Sequence, residues 1–175
     1  PSNPTGTCYT REDLEGLAGV LRKHPDVYII SDEIYEYIVF EGEHVGILQV
    51  APDLYDRTIL INGFSKGFAM TGWRLGYLAA PKTFADAFAK IQSQETSAPS
   101  AISQKAGEAA YRGNLSAVEQ MRDQFKKRRD YVVDELTSIE GLKCFRPAGA
   151  FYVFPDISFY LGKQTENGHK IETST

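Results

Sequence analysis

Cysteine, histidine and tryptophan are scarce in this 175-residue chain, at two, three and one. Cys8 and Cys144 stand far apart and form neither a metal-binding nor a redox spacing, so both read as incidental or buried thiols. His24, His44 and His169 are scattered with no pair at ligand spacing, and no metal site is expected. Basic residues are not in excess: 19 Lys and Arg against 23 Asp and Glu leave a net charge of -4, which argues against a nucleic-acid partner. The basic run Lys126-Lys127-Arg128-Arg129 has no interleaved aromatics and reads as a solvated helix face. No apolar run reaches membrane-spanning length, and no basic-then-apolar leader opens the chain. With cysteine so sparse, the expectation is a cytoplasmic protein with no membrane partner. Internal repeats are absent.

What is present is a composition able to build a core, 42% hydrophobic. Thr10 and Asp13 resemble a capping box, with Asp in place of the usual Glu or Gln, ahead of a helix whose apolar face is Leu14, Leu17, Ala18 and Leu21 and which Pro25 ends. Val27 to Ser31 reads as a short strand with Asp32-Glu33-Ile34-Tyr35 at its end, and Glu41 to Asp56 as a loop. Thr58 to Gly63 and Arg74 to Ala80 are the next strands. Helices follow from Pro81 to Gln92, with Phe84, Phe88 and Ile91 inward, and from Pro99 to about Arg112. A long helix runs from Asn114 to about Ile139 with the stripe Leu115, Val118, Met121, Phe125, Val132 and Leu136, and Gly141 stops it. Leu142 to Arg146 and Ala150 to Phe154 look like a hairpin around Pro147-Ala148-Gly149. The pattern predicts an α/β fold: residues 1–113 as the later part of a large α/β domain, and residues 114–175 as a connector helix and the start of a smaller α+β domain. Pro1 opens without Met and Gly162 to Thr175 is polar with no closing element, so the chain is expected to be a piece of a longer protein.

The most informative stretch is Asn62-Gly63-Phe64-Ser65-Lys66, followed by Gly72-Trp73-Arg74-Leu75-Gly76. It sets an amine and a guanidinium on the two sides of one short loop between apolar strands. A lysine at the end of a buried strand is poorly solvated, which lowers an amine's pKa and frees it as a nucleophile toward carbonyls. Arg74 keeps its charge and offers a planar fork to an anion, with Ser65 a second donor. An aldehyde-capturing amine beside a phosphate grip is what pyridoxal 5'-phosphate requires. Asp32, at a strand's carboxyl end, is the candidate for the cofactor's ring nitrogen, and Tyr35 for its ring oxygen. The Asp-x-x-Tyr pair is a common surface feature by itself and gains meaning only beside the Lys66 run.

Asn3-Pro4-Thr5-Gly6, Asp32-Glu33-Ile34-Tyr35, Ser65-Lys66 and Gly72-Trp73-Arg74-Leu75-Gly76 stand in an order and spacing that resembles the class I/II aminotransferases, fold-type I pyridoxal-phosphate enzymes, and within them the bacterial subgroup acting on aspartate. Pro147-Ala148-Gly149-Ala150-Phe151-Tyr152 is similar to that family's small-domain hairpin. The resemblance implies part of the large cofactor-binding domain, with a mixed and mostly parallel sheet. It implies that Lys66 is the catalytic residue, binding the cofactor aldehyde and shuttling the substrate α-proton. By the same resemblance Asp32 pairs with the ring nitrogen, Tyr35 and Asn3 bond the ring oxygen, and Ser65 and Arg74 hold the phosphate. The implied reaction moves an amino group from an L-amino acid, aspartate or a similar one, to a 2-oxo acid, in a homodimer.

Two departures stand out. Gly63 occupies a position where many relatives carry a phosphate-binding serine, and the last arginine, Arg146, comes too early to be the family's substrate-carboxylate arginine. The chain is therefore expected to hold the lysine half of a site and to be inert in isolation. Two other readings stay open: a cofactor-binding sensor domain of a transcription regulator, and a lyase or synthase on the same scaffold.

Overall fold

A computed structural model describes residues 1–173; Ser174 and Thr175, the last two positions of the predicted 114–175 segment, lie outside the described residues. Helix α1 spans Arg11–Leu21 and opens on the predicted capping box. The Thr10 hydroxyl accepts from the Asp13 amide at 3.1 Å and the Asp13 carboxylate accepts from the Thr10 amide at 2.8 Å, so the shorter acid closes the box as well as Glu would. Past the other end of α1, Arg57 donates to the carbonyls of Leu21, His24 and Val27, fixing the turns that leave the helix. Leu14 and Ala18 are buried and Leu21 packs beside them, while Leu17 turns outward.

The predicted loop from Glu41 to Asp56 is a correction. It holds helix α2, Ile47–Val50, and a 3-10 turn over Pro52–Arg57. Ile47, Ala51 and Leu54 fall at helical spacing and form one core cluster with Leu14 and Ala18. Pro52 interrupts that periodicity in the sequence, although a proline at the first position of a turn costs nothing.

Strands β1 (Ile29–Asp32), β2 (Thr58–Gly63) and β3 (Gly76–Ala79) form one sheet in that order. β1 and β2 run parallel, with Asp32 opposite Ile61; β2 and β3 run antiparallel, with Gly63 opposite Gly76. The mixed α/β sheet is as expected. β3 is shorter than the predicted Arg74–Ala80 because Arg74 takes a left-handed conformation, φ 50°, which a strand excludes.

Helices α3 (Lys82–Glu95), α4 (Ala101–Arg112) and α5 (Ser116–Ser138) follow. Phe84 packs edge-on against Tyr28, yet α3 buries no residue and Ile91 is exposed, against the predicted inward face. Gly107 in α4 lets the helix press on the sheet: a Cβ there would stand 2.5 Å from Leu75 Cδ2 and 3.0 Å from Phe64 Cζ. The predicted stripe of α5 holds at Val118, which is buried, and at Met121, Phe125 and Leu136, which are partly buried, but Leu115 and Val132 are exposed and Val133 is buried in place of Val132. Arg129 is also buried, so the basic run is not wholly a solvated face.

The C-terminal hairpin also differs. β4 (Lys143–Cys144) pairs antiparallel with β5 (Pro155–Asp156), and residues 145–154 cross over between them. Within that crossover the Ala148 carbonyl accepts from the Phe40 amide at 2.7 Å, and Ala150 donates to the Ile38 carbonyl at 2.8 Å. The Pro147–Ala150 stretch is thus an added edge on residues 38–41, not a local turn. Arg129 pins it, donating to the Pro147 carbonyl at 2.6 Å while lying against the Phe40 ring at 5.1 Å. Among the described residues no helix is long and apolar enough to cross a membrane.

Candidate active site

The sheet register gathers the predicted residues at one edge. Asp32 is the last residue of β1, and Ser65 and Lys66 follow directly on β2, which runs parallel to it. β3 returns antiparallel from Gly76, so Arg74, two residues before it, lies at that same edge. The carboxyl ends of parallel strands are where open α/β sheets bind ligands.

Lys66 is half-buried, and its Nζ stands 6.0 Å from the centre of the Tyr35 ring and 5.7 Å from that of Phe151. Tyr35 is buried. Its hydroxyl meets that of Tyr152 at 2.5 Å, and Asn3 Nδ2 donates to Tyr152 at 3.3 Å. Asn3, Tyr35 and Lys66 are therefore brought together, with Phe151 and Tyr152 added. Burial pushes the Tyr35 hydroxyl well above its ordinary pKa, and the nearby Asp32 charge pushes the same way, so Tyr35 stays a proton donor across neutral pH. Asp32 is exposed, its Oδ1 accepting from the Ile34 amide at 3.2 Å.

Ser65, Lys66 and Thr71 line an 840 Å³ cleft whose opposite wall is the first half of α5, including Gln120 and Arg128. Arg74 is exposed and not the partly buried arginine its apolar neighbours suggest; its hydrogen bond within the chain goes to the Thr71 carbonyl at 2.8 Å. No direct contact joins Arg74 to Ser65, or Asp32 to Lys66, among the described hydrogen bonds and ion pairs; their common location comes from the strand ends. At Gly63 a Cβ would come within 3.0 Å of Gly76 Cα, 3.1 Å of the Leu75 carbonyl and 3.2 Å of Ile34 Cδ1. The missing serine is thus matched by a close approach of two strands that a Cβ would have to push apart by a few tenths of an ångström.

Sequence reasoning overlooked two features here. Phe151 and Tyr152 were read only as hairpin residues, although two adjacent aromatics after a Pro-Ala-Gly-Ala run, which places them at the end of a docked segment, were the available signal. The chain also folds Glu33, Glu36 and His44 together, with ligand-type atoms within 4.8 Å of one another. Each already has a partner: His44 bonds Glu33 at 2.8 Å, Ser31 donates to Glu33 at 2.9 Å, and Asn62 donates to Glu36 at 2.8 Å. Burial raises the Glu33 carboxyl, but the His44 and Ser31 hydrogen bonds outweigh it and hold the group below its usual range. The trio ties residues 41–46 to the end of β1.

A half-buried lysine between the Tyr35 and Phe151 rings, at the carboxyl edge of a mixed sheet, is a candidate ligand site on an α/β fold. Comparison with known proteins makes that class specific. The family model for aminotransferase class I and II matches residues 1–167, and the chain belongs to that family. It is 51% identical over 172 residues to an aspartate aminotransferase of Pinus pinaster, covering 95% of this chain and 35% of that protein. It is 47% identical to an aspartate/prephenate aminotransferase of Cereibacter sphaeroides, covering 98% of this chain and 43% of the relative. Among solved structures, the aspartate aminotransferase of Rhizobium meliloti superposes with a TM-score of 0.96 at 44% identity, covering 99% of this chain and 44% of that one. The chain spans less than half the length of the relatives it matches.

Proposed function

We propose that the protein carrying this chain is a pyridoxal-phosphate-dependent aminotransferase that moves an amino group from aspartate, or a similar L-amino acid, to a 2-oxo acid, working as a homodimer. The observation that carries the reading is the placement of Lys66 Nζ about 6 Å from the Tyr35 ring, at the strand edge that also bears Asp32, Ser65 and Arg74. The relatives named above are aminotransferases, which favours this reading over a sensor domain or a lyase.

The residues present suit the cofactor's chemistry. The donor set matches its two ends: one free amine for the aldehyde, one carboxylate beside a tyrosine for the ring, and a hydroxyl with a guanidinium for the phosphate. When bound, pyridoxal phosphate supplies an aldehyde that takes an amine and a cationic ring that withdraws electrons from the substrate α-carbon. Lys66 Nζ would hold the cofactor's aldehyde and, as a free amine, would take and return the substrate α-proton. Asp32 keeps a proton on the ring nitrogen, which sustains that electron withdrawal. Tyr35 and Asn3 donate toward the ring oxygen. Ser65 and Arg74 grip the phosphate, and the Arg74 fork suits two of its oxygens at once.

The direct test supplies the purified full-length protein with pyridoxal phosphate, L-aspartate and 2-oxoglutarate, and follows oxaloacetate through a coupled reduction. Formation of oxaloacetate in the parent and its loss in Lys66→Ala are expected. Undiminished turnover in Lys66→Ala would overturn the assignment.

A further inference from the structure

The family motifs assign no role to the Tyr152 hydroxyl, which bonds two other polar groups at this edge. An amide nitrogen only donates, so Asn3 Nδ2 fixes the Tyr152 oxygen as an acceptor at 3.3 Å. That bond takes one lone pair of the Tyr152 oxygen and leaves its proton available to the Tyr35 oxygen, 2.5 Å away. With the bond running in that direction, Tyr35 keeps its own proton for an acceptor outside the trio. A hydroxyl that accepts one hydrogen bond donates the next more strongly. The arrangement is held from outside the site. Tyr35 and Tyr152 pack edge to face at 5.8 Å, and Ala150, at the root of the Phe151-Tyr152 pair, is fully buried and bonded to Ile38.

We propose that Tyr152 is a positioning residue: it donates to Tyr35 and so aims the Tyr35 proton at the cofactor's ring oxygen. The proposal rests on the reading that Tyr35 faces that oxygen. A donor at this position stabilises the negative charge on the oxygen and lowers the pH at which the bound chromophore gives up its proton. Loss of the Tyr35 donor removes a hydrogen bond to a charged group, and its absence raises that pH by roughly one to two units. Loss of Tyr152 weakens the same bond without deleting it, and the shift has the same sign and a smaller size, roughly half a unit.

The experiment is a pH titration of the visible absorbance of the cofactor-loaded protein for the parent, Tyr152→Phe, Tyr35→Phe and the double variant. Thermal melting and reductive labelling of Lys66 run in parallel. Tyr152→Phe keeps the ring packing, so melting and labelling match the parent while the midpoint moves up. In the Tyr35→Phe background the second substitution adds nothing, as a contribution made through Tyr35 requires. A Tyr152→Phe midpoint equal to the parent's, beside a shifted Tyr35→Phe, overturns the role of Tyr152 alone. A Tyr152→Phe shift that persists undiminished in the double variant also overturns it. An unmoved Tyr35→Phe midpoint overturns the placement of Tyr35 at the ring oxygen and this proposal with it.

Discussion

Replacing Arg129 with alanine tests the packing that delivers Phe151 and Tyr152 to the site. The guanidinium donates to the Pro147 carbonyl at 2.6 Å, to Glu41 at 2.8 Å and to Asp130 at 2.9 Å, with its side chain only 5% exposed. The two carboxylates are 55% and 41% exposed, so water replaces the arginine for them and those pairs contribute little. The Pro147 carbonyl lies on a fully buried residue and has no such alternative. Leaving it unpaired costs about 1–3 kcal/mol. Losing the cation over the Phe40 ring costs about 1–2 kcal/mol more, and losing the buried stem about 1. The total, about 3–6 kcal/mol, overlaps the ~3–5 kcal/mol expected for removing one partner of a buried charge network. Urea unfolding followed by far-ultraviolet circular dichroism measures it. Arg128→Ala, the exposed neighbour lying 5.6 Å from the Phe125 ring, is the control and costs less than about 1 kcal/mol. Equal stability of the two variants would refute the reasoning, because the buried Pro147 carbonyl, the Phe40 ring and the buried stem of Arg129 together set them apart.

Other expectations follow from single contacts. Arg74→Ala raises the dissociation constant for pyridoxal phosphate by roughly 10- to 100-fold, as loss of a charged hydrogen bond predicts; equilibrium dialysis measures it, and unchanged affinity removes Arg74 from the phosphate grip. Gly63→Ser, which restores the hydroxyl found in many relatives, destabilises the protein by about 1–3 kcal/mol because paired strand backbone has to shift to admit the new Cβ; a variant with parental melting and tighter cofactor binding contradicts this. The Glu33 carboxyl has a folded pKa below its unfolded one. Its contribution is therefore fully present above the ordinary carboxylate range and is lost as pH falls through the depressed folded value. His44→Ala removes a leading cause of that depression, so the acid limb of a stability-versus-pH curve flattens; a limb as steep as the parent's argues against the tie.

Local features were legible in the sequence. The capping box at Thr10, the buried strand Thr58–Gly63 and the stop at Gly141 each rest on neighbouring residues alone. Gly141 has φ +81°, and a Cβ there would strike the Phe159 ring. The order of Asp32, Lys66 and Arg74 was also readable, because strand ends follow from strand pattern. What escaped depends on distant partners. Tyr152 meets Tyr35 across 117 positions, and Arg129 finds the Pro147 carbonyl through a segment that reads as a turn. The Ile47–Leu54 helical spacing was hidden by Pro52. Arg74 is exposed and takes a left-handed backbone, which no neighbouring residue type signals.

The central claim is that the amine of Lys66 captures the cofactor's aldehyde. Treating the full-length, cofactor-loaded protein with borohydride and mapping the labelled peptide tests it most directly. The account predicts a single pyridoxyl group on the peptide containing Ser65 and Lys66. A label on any other lysine, or an unlabelled protein, would contradict it.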